Sequence, residues 1–380
     1  MKNTFIRIWL IRMCALMFAL VGVAHAETQI PESRYRIQLA ILLDTSNSMD
    51  GLIDQTRGQL WQMVNELTKA RKQGITPELQ VAVYEYGNDS ISSGAGHVRK
   101  ITGLTTDLDK VSEALFALQT NGGSEYCGYA IDTAVKNLQW SNSKDDLRLI
   151  YIAGNEPFTQ GPISYTDAIK LAKEKGIDVS TIFAGNHEEG VATGWQQGAL
   201  LASGSYMSID PNQQIVHIAA PQDQKIAELN TKLNSTYIPY GAEGNLASQR
   251  QQEQDQKNND VSLSLLAQRV KSKVSSAYTQ ARWDLVDALE SGKVKLEEVE
   301  AESLPAPMAA MSPEEKRKYV ADKKTEREAL KKEIARLAEA REDYVAEEKQ
   351  KLADSESDTM DEVLIESIKT SAKEKNFAFE

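Results

Sequence analysis

The stretch Leu43-Asp44-Thr45-Ser46-Asn47-Ser48-Met49 sets one carboxylate and two hydroxyls at alternate positions. Alternate residues of an extended segment point the same way, so Asp44, Ser46 and Ser48 can turn three hard oxygen donors toward one point. Taken singly, the two serines have an ordinary explanation as turn or helix-capping residues. The case for a metal comes from their combination with Asp44. A helix that begins just after such a loop adds backbone N–H groups and a positive dipole end, which favour an anionic guest beside a cation.

The loop has a strand before it and a helix after it. Ile37 to Leu43 is short and nearly all apolar, the pattern of a parallel strand buried on both faces. A helical stretch follows through Trp61, Val64 and Leu67, and Leu79 to Tyr84 reads as a second strand. Gly87 to Gly96 is a turn rich in Gly, Ser, Asn and Asp, with a strand returning over His97 to Ile101. Helical spacing marks Asp107 to Leu118 and, after the Asn121-Gly122-Gly123 loop, Tyr126 to Trp140. Leu147 to Ala153 is a further buried strand, followed by helix Tyr165–Lys175, strand Val179–Phe183, helix Gly194–Ala202 and strand Tyr206–Ile209. Strands separated by helices imply an α/β fold, a doubly wound, mostly parallel sheet of Rossmann-like type. Such sheets bind ligands at the carboxyl ends of their strands. Asp44 stands at one.

With the motif and its context in place, residues 36 to 240 resemble the von Willebrand factor A (VWA) family. Its metal-ion-dependent adhesion motif is Asp-x-Ser-x-Ser after the first strand, and Asp44, Ser46 and Ser48 match it. Asp44 to Met49 followed by Gly51-Leu52-Ile53 is similar to a bacterial exported subgroup. The resemblance implies two further loops, and this chain departs from the family pattern in both. The second usually carries a threonine; alignment on Gly128-Tyr129-Ala130-Ile131 puts Glu125 there, and one residue of slack makes Ser124 the ligand instead. The third usually ends its strand with Thr-Asp-Gly, and here Asn155 stands at the aspartate. The implied ligands are therefore Asp44, Ser46, Ser48, Glu125 or Ser124, and Asn155, with Asn155 acting through its carbonyl or a bridging water. The bland readings are a first-turn glutamate favoured by the helix dipole and a turn asparagine. Cys127 reads as a small buried residue.

The rest of the chain bounds the setting. Lys2, Arg7 and Arg12, an apolar run from Met13 to Val23, and Ala24-His25-Ala26 read as a signal peptide over residues 1–26, cleaved before Glu27, with an uncleaved anchor lengthened by Trp9 and Ile11 as the alternative. Residues 27–34 are an N-terminal linker and 35–244 the VWA domain. Of two cysteines, Cys14 leaves with the signal, so the mature chain cannot form an internal disulfide. No second long apolar run follows, so no membrane span is expected after cleavage, and the expected location is periplasmic, with secretion as the alternative. A formal net charge of −12 argues against nucleic acid and against anionic lipid.

After Gly244 the composition changes. Residues 245–262 are polar and rich in Gln, a linker or an exposed helix; residues 263–380 form an all-α, partly coiled-coil-like region. Within it, Leu266, Val270, Val274, Tyr278, Ala281, Leu285 and Leu289 mark one amphipathic helix. Ser312-Pro313-Glu314-Glu315 starts a long helix with Lys323, Arg327 and Arg341 on its apolar seam, and a last helix covers Met360 to Lys373.

The expectation is an exported, metal-dependent protein-binding module holding a divalent cation, Mg2+ first, with Mn2+ or Ca2+ as alternatives. An acidic side chain of a partner protein would complete the coordination. The alternative is a structural or assembly scaffold with a degenerate metal site and contacts made by the helical arm. No nucleophile with a paired base is visible. A metal-assisted hydrolase would need Glu125 or Glu156 as its general base.

Overall fold

The computed structural model describes residues 35–49, 52–209, 218–352 and 360–379. The expected signal peptide and N-terminal linker lie outside them. Strands β1 (Arg36–Asp44), β2 (Ala70–Arg71), β3 (Glu78–Tyr86) and β4 (Val98–Thr105) alternate with helices α1 (Leu52–Leu67) and α2 (Leu108–Phe116). Next come α3 (Cys127–Asn137), β5 (Leu147–Gly154), α4 (Tyr165–Glu174), β6 (Asp178–Ala184), α5 (His187–Ala192), α6 (Trp195–Leu201) and β7 (Ser203–Ile209). The remainder is α7 (Asp223–Asn234), α8 (Gly244–Val261), α9 (Leu263–Val274), α10 (Leu285–Glu290), α11 (Ala306–Ala309), α12 (Pro313–Leu352), α13 (Met360–Glu374) and β8 (Ala378–Phe379).

Six strands form one sheet in the order β4-β3-β1-β5-β6-β7. All neighbours are parallel except β4, which runs antiparallel to β3 as a strand returning from a turn must. β1 lies at the centre, and its side chains alternate between two cores. Leu39, Ile41 and Leu43 pack with α1, α2 and helices of the C-terminal region, while Ala40 and Leu42 pack with α3, α4 and Trp195 at the start of α6. Helices on both faces make β1 nearly all apolar from Ile37 to Leu43, with Gln38 the exception, which is why it reads as a continuous run. The expected doubly wound α/β sheet with a helical C-terminal region is what the chain forms.

The C-terminal helices add a second layer on the α1–α2 side only. There the sequence expectations need correction. Residues 245–262 are a helix rather than a linker, and α8, exposed on its outer side, buries Gln251, Gln254, Asp255 and Asn258 on the other. These positions fall on one helical face, so low hydropathy here marks a buried polar stripe. Gln254 Oε1 accepts from Ser112 Oγ at 3.0 Å, and Asn258 Oδ1 accepts from Trp61 Nε1 at 2.9 Å. The single amphipathic helix expected from Leu266 to Leu289 is two helices, each with its own start. Ser262 caps α9 through Leu265 N (3.0 Å), and Asp284 caps α10 through Asp287 N (2.9 Å).

α12 begins with the expected capping box: Ser312 N donates to Glu315 Oε2 at 2.8 Å, and Glu315 N donates to Ser312 Oγ at 3.3 Å. It is not a free-standing arm, because its central part lies on α7, α9 and α10. Two of the three charged seam positions are anchors, while Lys323 bonds Glu326 Oε2 on its own helix at 2.9 Å. Arg327 donates to Asp284 Oδ2 (2.6 Å) and Asp287 Oδ1 (2.7 Å) with its guanidinium over the Tyr237 ring, and Arg341 reaches Asp223 Oδ1 at 2.6 Å. α13 returns to the sheet, where Ser367 Oγ sits 3.0 Å from Tyr151 Oη, and β8 then pairs antiparallel with β2. α5, α7, β2 and β8 had no counterpart in the sequence reading. Among the described residues, no helix is long and apolar enough to cross a membrane.

Candidate metal centre

β1 ends on Asp44, and the chain then turns through a short 3-10 segment, Asn47–Met49. The turn is stitched to its neighbours by backbone bonds: Thr45 N to Tyr86 O (2.9 Å), Asn47 N to Gly122 O (3.0 Å) and Asn121 N to Thr45 O (2.9 Å). Three loops at the carboxyl end of the sheet are thereby held together. Asp44 Oδ1 accepts from Ser46 N at 2.7 Å, and Ser46 Oγ lies 2.8 Å from Ser48 Oγ. Asp44 and Ser46 are fully buried, whereas Ser48 is exposed, so the triplet runs from floor to rim.

The second loop contributes Glu125, which is 2% exposed. Its carboxyl is hydrogen-bonded to Asp44 and to the Ser46 hydroxyl. Ser124, the alternative, forms an isolated backbone bridge with Gly87, and the structure brings Glu125 to Asp44 and Ser46. The third loop contributes Asn155. Ser48 Oγ donates to its Oδ1 at 3.1 Å, and with the amide turned the other way its nitrogen donates to Asp44 Oδ2 and Glu125 Oε2, each at 3.3 Å. The amide therefore has two uses: nitrogen inward it bridges two carboxyls, and oxygen inward it offers a cation a neutral donor.

Electrostatics set this cluster apart. Burial raises the Asp44 carboxyl, opposed by its bonds from Glu125 and Ser46. Burial, the hydrogen bond with Asp44 and the Asp44 charge together push Glu125 up to about 9. Glu125 thus carries the proton and donates it to Asp44, because two carboxylates this close cannot both stay ionised unaided. Glu156 adds to the rise at both.

Two glycines that sequence reasoning passed over make room for this arrangement. At Gly87 (φ +78°) a Cβ would lie 2.6 Å from Asp44 Oδ1 and 2.9 Å from Glu125 Cγ. At Gly154 it would meet Tyr86 Oη at 2.3 Å and Asp44 Cβ at 3.2 Å. Behind the carboxyls, Tyr86 Oη donates to Ala153 O (2.9 Å) and receives Cys127 Sγ at 3.6 Å. Cys127 is 1% exposed and burial pushes its thiol well up, so it is an inert wall rather than a nucleophile. The local signal for these glycines was their place at strand ends.

The donor set fits a hard cation: two carboxyl groups, two hydroxyls and an amide oxygen, all oxygen, converging at one point. None of the groups acting most strongly on the two carboxyls is a lysine or arginine, so positive charge is what the pocket lacks. A metal held here relies on hydroxyls and an amide besides the two acids. Among the described residues no group of three or more His, Cys, Asp and Glu side chains is placed to hold a metal ion.

Residues 38–192 match the sequence profile of the von Willebrand factor type A domain. No curated protein matches the chain. Among solved structures, BatB from Bacteroides thetaiotaomicron is similar at 18% identity, over 46% of this chain and 90% of that one, with a TM-score of 0.35. A von Willebrand factor type A protein from Catenulispora acidiphila is similar at 15% identity, over 47% and 39%, with a TM-score of 0.35. Proximal thread matrix protein 1 from the mussel byssus, in a form with zinc in its metal-ion-dependent adhesion motif, is similar at 12% identity, over 47% and 42%, with a TM-score of 0.33. The six-stranded, helix-flanked sheet from Arg36 to Ile209 agrees with the profile match over residues 38–192, and this part of the chain has the von Willebrand factor type A fold.

Proposed function

We propose that this protein is an exported, metal-dependent protein-binding module. A divalent cation, Mg2+ first among candidates, sits at Asp44, Ser46, Ser48, Glu125 and Asn155 and leaves a position toward the exposed rim for an oxygen donor from a partner protein. One observation carries the reading: three separate loops bring five oxygen-bearing side chains together, two of them buried acids. The cation replaces the proton that Glu125 holds, so binding releases a proton. The N-terminal residues 1–26 act as the export signal, and the working compartment is the periplasm.

Isothermal titration of the mature chain with Mg2+, Mn2+ and Ca2+, beside an Asp44→Ala control, tests the proposal. Saturable binding that is lost in the control supports it; heats equal to the control's for all three ions would sink it.

A second reading draws on the proton shared by Glu125 and Asp44. In that reading the proton does the cation's work permanently and the domain is a scaffold. The same titration separates the two, since a proton-closed site takes up no metal.

A further inference from the structure

We infer that Glu125 makes this metal loop charge-balanced within the protein, so that the partner's donor at the open position is an uncharged oxygen (an amide, a hydroxyl or a backbone carbonyl) rather than an acidic side chain. The inference rests on the cation reading above. A divalent cation beside one carboxylate keeps a net positive charge, which draws in an anionic donor. Beside two it keeps none.

Glu125 is built into the site and is not an incidental first-turn residue. It lies ahead of α3, whose N-cap is Tyr126, with no side-chain cap bond. Its carboxyl turns inward to Asp44 and Ser46, and one position of the Asn155 amide touches both acids at 3.3 Å. Gly87 leaves empty the volume Glu125 occupies, since a Cβ there would come within 2.9 Å of Glu125 Cγ. The surroundings reinforce the charge count: Glu156 bears on both acids from the rim, so an incoming carboxylate would meet a neutral centre and a like charge. An uncharged oxygen escapes that repulsion and still donates a lone pair to the metal.

The test uses the mature chain loaded with Mn2+, with acetate and acetamide as probes and the relaxation of water protons as the readout of water displaced from the ion. Wild type should bind Mn2+ and show no preference for acetate over acetamide. E125Q at saturating Mn2+ should bind acetate at least about tenfold more tightly than wild type, because one negative charge a few ångström from the probe has gone. If wild type binds Mn2+ and favours acetate as strongly as E125Q does, the inference is overturned while the cation reading stands. If wild type binds no Mn2+, both fall. Should circular dichroism show E125Q unfolded, E125T supplies the same comparison.

Discussion

Two buried polar clusters in this protein have opposite charge balance. At the end of β1, Asp44 and Glu125 face each other with hydroxyls and an amide for company. Between α2, α8 and α9, Asp109 and Asp255 meet Arg269 and Lys273. Arg269 Nη2 reaches Asp109 Oδ1 at 2.7 Å and Arg269 Nε reaches Asp255 Oδ1 at 2.8 Å, while Lys273 Nζ lies 2.7 Å from Asp255 Oδ2. Asn230 and Asn234 each donate to Asp255 and accept from Lys273. Burial pushes Glu125 up to about 9 and also raises Asp109 against the pull of Arg269, whereas Lys273 and Arg269 together hold Asp255 down at about 2 against its own burial. A cluster that closes its own charge fixes architecture. One left a cation short is where a ligand belongs.

The comparison can be broken experimentally. The largest effect should come from Arg269→Met, which takes its cation from buried Asp109, leaves Asp255 with Lys273 alone and removes the guanidinium from above the Trp61 ring. A loss of about 3–5 kcal/mol is expected in urea unfolding. A loss under 1 kcal/mol would show that the network is solvated and the contrast false. Metal should stabilise only through the other cluster: at a hundred times its Kd, Mg2+ or Mn2+ adds about 2.7 kcal/mol to wild type and nothing to Asp44→Ala.

Acid and base should act on Asp255 and Glu125 with opposite signs. The folded pKa of Asp255 lies below its unfolded value, so its contribution is complete above about 4 and is lost as pH falls toward about 2. The folded pKa of Glu125 lies above its unfolded value, so its contribution is complete below about 4.5 and is lost as pH rises toward about 9. Chelator-treated wild type should therefore weaken along both limbs, and Glu125→Gln should flatten the alkaline limb alone. Stability curves that coincide on that limb would contradict the assignment. The smallest effect is a control for burial itself. Lys318→Ala breaks an exposed pair with Asp322 (3.2 Å) and should cost no more than about 0.5 kcal/mol.

What the sequence revealed follows the same division. Asp44, Ser46 and Ser48 were legible because their convergence comes from alternation within five residues. Glu125 and Asn155 needed the family pattern to align them, and only the fold shows that Glu125 lies against Asp44 and Ser46. The balanced network was invisible: Asp109 and Arg269 are far apart in the chain, and the Gln- and Asn-rich run of α8 has the composition of a linker. Arg327 and Arg341 were in view but looked like interruptions of an apolar seam. An arginine on the buried stripe of a helix could instead have been taken as a request for a carboxylate, which Asp284, Asp287 and Asp223 supply. Periodicity failed at Val274 to Leu285 because 3–4 spacing continues across a break that the C-cap Ser275 of α9 and the N-cap Asp284 of α10 define.

β8 pairs with β2, and Phe377 packs edge-on against Tyr35 with ring centroids 6.5 Å apart. Tyr35 opens the central strand and Asp44 closes it, with roughly 30 Å of extended chain between them. Both ends of the described body thus leave from the pole opposite the metal loops. A tether or fusion joined at either end would hold the protein by its base, with the Asp44 and Glu125 loops turned outward like a lamp on its stand.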